Sequence, residues 1–298
     1  MPTYTLRHLE YLIACADHGS IAQAAIALNV SQPTVSVAIA KLEDQFGLQL
    51  LMRHHGQGVT TTVGAQKVLH ASRHLLAQAR DLSNLAKESS QSVNGDLRIG
   101  AFSAMAPTIL PELVSELKAS FPGIRLQFQE GTQLELITRL RNGELELGLL
   151  YDIDVPNDII CTELALRSPY VALPRGHRLV EQDCISLNDL VDEPFILLDV
   201  PPSREYFLGL FRSVSLTPQV AISSPSLELV RGLVGQGLGY SILVTRPAGD
   251  VTHDGKKLEI RALCDQVATS RIVLARHESL RSTRITDSFE SVAKRVIS

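Results

Sequence analysis

SQPTVSVAIAKLEDQFGLQLLMR, residues 31–53, is the stretch on which the reading of this 298-residue chain turns. Val35, Ile39, Leu42 and Phe46 recur at helical spacing and predict one buried stripe. Ser31 supplies a cap, Pro33 falls in the first turn where a missing N–H is harmless, and Gly47 stops the helix. The other side carries Pro33, Val37, Ala40 and Lys41, flanked by Gln32, Thr34 and Ser36. Upstream, Leu6, Leu9, Ile13 and Ala16 predict a first helix that ends at Gly19. Ser20 and Gln23 then form a capping box for a short second helix burying Ile21, Ala24, Ala25 and Leu28, and Asn29-Val30 is a tight turn. Two short helices joined this way make a helix-turn-helix with residues 32–46 as its reader. A small, polar first turn suits a helix tip entering the major groove. Gln32 can bond adenine bidentately, Thr34 and Ser36 can bond bases or phosphate, and Val37 can touch a thymine methyl. The same spacing also fits an ordinary three-helix bundle with a polar face.

Leu48–Arg53 reads as a strand, His54-His55-Gly56-Gln57-Gly58 as a turn and Val59–Thr61 as a second strand. This hairpin is a wing, with Arg53 placed on a phosphate and glycines that let backbone approach backbone. The adjacent histidines have no third ligand nearby, so no metal is assigned. Thr62 caps a helix to about residue 90. Ala65, Ser72, Ala79 and Ala86 repeat every seven residues, with Val68, Leu75 and Leu82 three positions later. That seam predicts a paired helix, the alternative being one helix packed on its own domain.

The formal charge of −4 looks unfavourable for a nucleic-acid partner, but it is unevenly distributed. Residues 1–90 hold seven Lys/Arg against six Asp/Glu and six of the nine histidines. The excess acid therefore belongs to residues 91–298. Histidines protonating beside phosphate predict DNA binding that tightens as pH falls. No segment approaches the roughly 20 apolar residues of a membrane span. MPTYTLRHLEY has no basic region followed by an apolar run, so a cytoplasmic location is expected. Cys15, Cys161, Cys184 and Cys264 lie far apart without CxxC or metal spacing, and read as buried apolar fillers in a reducing compartment.

After the polar linker 89–95, strands and helices alternate. Strands are expected at 97–100, 126–128, 145–150, 170–173, 195–198, 220–222 and 271–275. Helices are expected at 109–121, 133–142, 186–190, 204–211, 227–235 and over a closing stripe of Ile285, Phe289, Val292 and Val296. The alternation predicts two α/β lobes with largely parallel sheets and a ligand cleft at strand ends and helix N-termini. The polar loops after strands nominate Ser103, Thr132, Tyr151, Asp152, Pro202, Ser203, Arg204 and Ser226. Hydroxyls and helix amides suit a carboxylate, Arg204 offers a countercharge, and Tyr151 with Asp152 suits an ammonium group. The expected effector is a small polar acid, possible also as a zwitterion.

The order helix-turn-helix, SQPTVSVAIAKLEDQFGLQLLMR, glycine-containing wing and linker helix resembles the N-terminus of a LysR-type transcriptional regulator, and the resemblance extends over nearly the whole chain. Ser31-Gln32-Pro33, Ser36, Leu42-Glu43 and Gly47 fall in that family's usual places. Two departures are a Gln57 where a second wing cation is usual, and Thr62-Val63-Gly64-Ala65 in place of Thr-x-Ala-Gly. The resemblance implies a winged helix-turn-helix over 1–61, a dimerising linker helix over 62–92 and a periplasmic-binding-protein-like effector domain over 93–298. It splits that domain into lobe I (93–166 and 269–298) and lobe II (167–268). It carries effector contacts to Ser103, Thr132, Pro202-Ser203 and Ser226. It also implies homodimers assembling to a tetramer on a pseudo-palindromic operator. DNA contacts are expected from Ser31, Gln32, Pro33, Thr34, Ser36, Val37, Lys41 and Arg53.

No G-x-S-x-G, P-loop or H-E-x-x-H motif is present, and Gly235–Gly239 ends a helix where a dinucleotide fingerprint would open one. A regulator without enzymatic activity or cofactor is therefore expected. The alternatives are a solute-binding module with a non-DNA helical appendage, or a cysteine redox-sensing regulator.

Overall fold

The computed structural model describes residues 3–54, 58–87 and 93–297. They form two compact units, one built chiefly from the first 92 residues and one beginning at residue 93. The wing turn at 55–57, with its Gln57 departure, and the linker residues 88–92 lie outside the described residues.

The first unit runs α1 (Leu6–His18), α2 (Ile21–Ala27), α3 (Gln32–Phe46), β1 (Leu51–His54), β2 (Gly58–Thr61) and α4 (Val63–Lys87). The reader helix forms as its sequence dictates. The Ser31 hydroxyl accepts from Thr34 N at 3.3 Å, and Gly47 ends the helix in the left-handed region at φ 59°. Val35, Ala38, Ile39 and Leu42 are buried, and Phe46 packs edge-on to Tyr4. Asn29 takes φ 57° in the turn before it. The full capping box is at Thr5 and His8; at Ser20 only the hydroxyl half forms, accepting from Gln23 N at 3.4 Å. The buried stripe of α1 is Leu9, Leu12 and Cys15, with Leu6 exposed. The helix is thus rotated from the expected stripe so that this face meets α3 and α4.

Glu43 fixes the wing to the reader helix, its carboxylate accepting from Leu50 N at 2.8 Å and Leu51 N at 3.1 Å. β1 starts at Leu51 because Leu48 is still closing the helix, donating to Glu43 O. Gly58, at φ 92°, brings the hairpin onto the end of α1, where a Cβ would stand 2.3 Å from Gly19 O. The next residue, Val59, donates to that same carbonyl at 2.8 Å. Thr62 caps α4 by accepting from Ala65 N at 3.1 Å. Gly64 leaves room for Leu48, whose Cδ1 would lie 2.9 Å from an added Cβ. The expected seam is redistributed. Ala65 and Ser72 are buried with Leu69 and Leu76 inside the unit's own core, whereas Leu75 and Leu82 remain exposed.

The second unit carries two lobes. Lobe I is a five-stranded sheet in the order β4 (Ile124–Gly131), β3 (Gly95–Phe102), β5 (Leu147–Tyr151), β13 (Ser270–His277), β6 (Ile159–Arg167). It is flanked by α5 (Ala106–Ser120), α6 (Gln133–Arg141) and α10 (Arg284–Ile297). β3 pairs in parallel with β4 and β5, but β13 is antiparallel to both β5 and β6. The expectation of largely parallel sheets is corrected here. The chain leaves lobe I along β6 and returns along β13, and an exit and a return in neighbouring strands run in opposite directions.

Lobe II holds the sheet β11 (Ser241–Leu243), β7 (Tyr170–Pro174), β12 (Leu258–Leu263), β8 (Cys184–Ile185) and the parallel pair β9 (Phe195–Leu198) and β10 (Val220–Ser224). Helices α7 (Leu187–Leu190), α8 (Ser203–Ser213) and α9 (Leu227–Gly235) complete it. The Gly235–Gly239 segment is a tight helix-to-strand turn. At Gly239, φ 151°, a Cβ would lie 2.2 Å from Pro194 O, so the backbones touch there. Cys184 and Cys264 are joined in a disulfide across β8 and the end of β12. The filler expectation is wrong for this pair, because strand pairing brings together residues 80 apart in sequence. It holds for Cys15, which is buried, while Cys161 is half-buried.

Candidate nucleic-acid interface and interlobe cleft

On α3, Gln32, Pro33, Thr34, Val37 and Lys41 are exposed together on the face opposite the buried stripe, with Ser36 half-exposed. Val37 is 56% exposed although apolar, an unpartnered methyl surface on a helix whose other side is fully packed. Ser31 is committed locally, its hydroxyl capping the helix and touching the Thr34 hydroxyl at 2.7 Å. Arg53 is exposed on the wing strand opposite Val59. The sequence reading missed the start of α1. Thr5, Arg7, His8 and Tyr11 line an open groove of about 540 Å³ together with Pro33, Thr34, Val37 and Lys41 of α3. Arg7 is held by Glu10 at 3.2 Å and lies over the Tyr11 ring. The sequence signal for this edge is local: a cation, Arg7, in the first turn of α1.

In the sensor unit, Tyr151 ends β5, is buried, and bonds the Thr245 hydroxyl of lobe II at 2.7 Å. Burial pushes its phenol up to about 12, so it stays neutral. The cavity around it between the lobes is only about 20 Å³, with walls from Phe102, Leu198, Phe207 and Leu227 and with Ser203 at the start of α8. Ser103 follows β3, its amide donating to Gly131 O. Thr132 gives its amide and hydroxyl to Glu135 at 2.8 and 2.9 Å, and these bonds, the backbone one first, hold the Glu135 carboxyl below its ordinary value. Ser226 caps α9, accepting from Leu229 N at 3.3 Å. Pro202 precedes α8 after a cis Pro201–Pro202 bond. Two expected charges are already matched. Arg204 meets Asp199 at 2.6 Å, and Asp152 meets Arg271 at 2.9 Å. Tyr151 and Asp152, read for an ammonium group, both have protein partners, the hydroxyl on Thr245 and the carboxylate on Arg271. Gln133 escaped notice altogether. Its buried amide accepts from Tyr151 N at 3.2 Å and donates to Ile153 O, fixing the end of β5 to the residues that follow it.

A winged reader helix followed by a two-lobed sensor defines a DNA-binding protein with an effector-binding domain. Residues 6–66 match the model for the bacterial regulatory helix-turn-helix protein, lysR family, and residues 90–296 match the LysR substrate binding domain. The chain belongs to the LysR family of transcriptional regulators. It is 33% identical over 243 residues to the uncharacterized HTH-type transcriptional regulator YnfL of Escherichia coli, spanning 80% of this chain and 81% of that one. A crystal structure of a putative LysR family transcriptional regulator from Pseudomonas aeruginosa matches over 99% of both chains at 37% identity and TM-score 0.67. A full-length OxyR variant from the same organism matches at 25% identity and TM-score 0.82, covering 99% of this chain and 95% of that one. No single helix among the described residues is long and apolar enough to cross a membrane.

Proposed function

We propose that the chain reads a specific operator with α3 and senses a small acid in the interlobe cleft, in the cytoplasm where its DNA lies. The observation that carries the reading is the exposed face of α3, polar and small-residued on a helix packed on its other side. Lys41, Arg7 beside it in the α1 groove and Arg53 on the wing are the cations the reading uses, a modest number, so affinity rests on joining copies of the chain. The uncovered Leu75 and Leu82 of α4 support a homodimer, and dimers assembling to a tetramer complete the proposal. Arg53→Ala should weaken operator and random duplex alike and lower the salt slope by about one. Gln32→Ala should cost about 1–3 kcal/mol on operator DNA alone. Gel shifts at several salt concentrations measure both, and equal losses on both DNAs in both variants would reverse the assignment.

For the effector, hydroxyls at the starts of α8 and α9 suit a carboxylate, while the aromatic and aliphatic walls suit an apolar body. Ligand entry has to part the lobes and would shift a two-state closure felt at the operator. Calorimetry with a panel of small carboxylates should show one that binds, weakened about tenfold or more in Ser203→Val. Arg204→Ala should change affinity by less than about threefold, since Asp199 already holds that charge. A tenfold loss in Arg204→Ala would make Arg204 the anchor instead.

The disulfide favours a second reading, in which a thiol–disulfide change in lobe II adds a redox input. Burial pushes the Cys15 thiol up to about 11 and raises the Cys161 thiol, which leaves both poor nucleophiles at neutral pH. Cys264 is exposed, so hydrogen peroxide could reach the pair. It would oxidise two thiols to the disulfide and itself be reduced to two waters. Thiol titration of the denatured, unreduced protein should find two of the four cysteines, Cys15 and Cys161, and all four after reduction. Oxidant-dependent operator binding that persists in Cys184→Ser/Cys264→Ser would end this reading.

A further inference from the structure

We propose that a second small-molecule site lies behind Tyr151, on the hinge side of the sensor, and takes a small zwitterion whose two charges are separated by a short apolar chain. The cavity there measures about 240 Å³, against about 20 Å³ between the lobes. An engineered cavity of roughly 150 Å³ already admits benzene, so the space suffices for a small metabolite. Both lobes build it. α5 and the end of α10 supply one wall, Arg167 at the last position of β6 supplies the hinge edge, and Thr245 with Arg246 closes the lobe II side.

The charges on these walls select the ligand. Arg167 donates to the carbonyls of Leu166 at 3.0 Å and Ile297 at 2.8 Å, and no carboxylate among the described residues neutralises it. Glu112 stands at the exposed mouth with no cation within ion-pair range among the described residues. Arg246, by contrast, is spoken for by Asp250 at 2.8 Å. Among the described residues, one positive and one negative group without an ion-pair partner thus face a single cavity without reaching each other. A carboxylate on Arg167 and an ammonium on Glu112 would satisfy both, with Met105 and Ile272 along the connecting chain. A simple anion would leave Glu112 facing it, and a simple cation would face Arg167.

The site also has a physical connection to the cleft. Tyr151, Val244 and Thr245 line both cavities, and the 2.7 Å bond between the Tyr151 and Thr245 hydroxyls ties lobe I to lobe II. A ligand pressing on one side of that wall changes the cost of parting the lobes on the other, and the coupling must be reciprocal.

Calorimetry of the full-length protein with ω-amino acids from glycine to ε-aminocaproate, beside alkanoates and alkylamines of matching length, tests the site. One chain length should bind at least about tenfold more tightly than either singly charged analogue. Arg167→Gln and Glu112→Gln should each weaken it about tenfold or more. Glu112 is exposed, so its variant reports on the site even if Arg167→Gln fails to fold. No saturation below about 10 mM by any member overturns the proposal. So does equal binding of the singly charged analogues. Weakening by Ser203→Val with Glu112→Gln unchanged would place the molecule in the interlobe cleft and overturn it equally.

Discussion

Gly58→Ala should abolish operator binding while leaving the sensor unit folded. Two costs add at this position. The backbone lies at φ 92°, where a side chain costs about 1–2 kcal/mol, and the new methyl would sit 2.3 Å from the Gly19 carbonyl oxygen. Backbone cannot rotate away as a side chain does, so relieving the clash breaks the 2.8 Å bond from Val59 N to the same carbonyl. Overpacking of this kind adds about 1–3 kcal/mol, a large share of the stability of so small a unit. Gly47→Ala is the matched control. It has φ 59° but nothing within 4 Å of the added carbon, so only the conformational cost of about 1–2 kcal/mol applies. Limited proteolysis and gel shifts on both variants compare them directly. Equal losses would mean that the Gly19 contact carries no weight.

Phe289→Ala should cost the sensor unit about 3–5 kcal/mol. Phe289 is fully buried where α10 meets lobe I, with Val292, Ala293 and Ile297 buried along the same face. Truncating the ring leaves a cavity that a helix anchored along its whole length cannot collapse to fill. Phe289→Leu keeps most of the volume and should cost less than about 1.5 kcal/mol. Urea denaturation followed by circular dichroism reads both midpoints. The two variants unfolding together would mean that α10 contributes little to the core.

The reader helix was legible because its signals are local: a cap, a proline and a stop glycine within seventeen residues of a clean apolar stripe. The α1 stripe was misread because Leu6, Ile13 and Ala16 fit helical spacing as well as Leu9, Leu12 and Cys15 do, and tertiary packing chose between them. The lobes were legible as an alternation of elements, but β6 and β12 were not foreseen as strands. Ile159–Arg167 mixes charged and apolar residues, since its sheet-edge position exposes one side. The antiparallel return through β13 depends on topology, which no local pattern encodes. The same holds for the Cys184–Cys264 bond, whose partners lie 80 residues apart. In the cleft, hydroxyls at helix starts could be named from sequence. The pairing of Asp152 with Arg271 could not, since it depends on β5 lying beside β13, and that of Arg204 with Asp199 depends on how the 199–204 segment turns back on itself.

The exit through β6 and return through β13 also bears on how the protein is made. Arg167 and Ser270 face each other across that strand pair, so all of lobe II is spliced between two adjacent points of lobe I. Lobe II can condense as soon as its own residues emerge from the ribosome. Lobe I must wait with β3, β4 and β5 assembled and one sheet edge bare, until residues 270–297 arrive to cover it. The inserted lobe therefore finishes before its host. During synthesis, the open edge of β5 is one place where a nascent chain of this protein is exposed to mispairing with its neighbours.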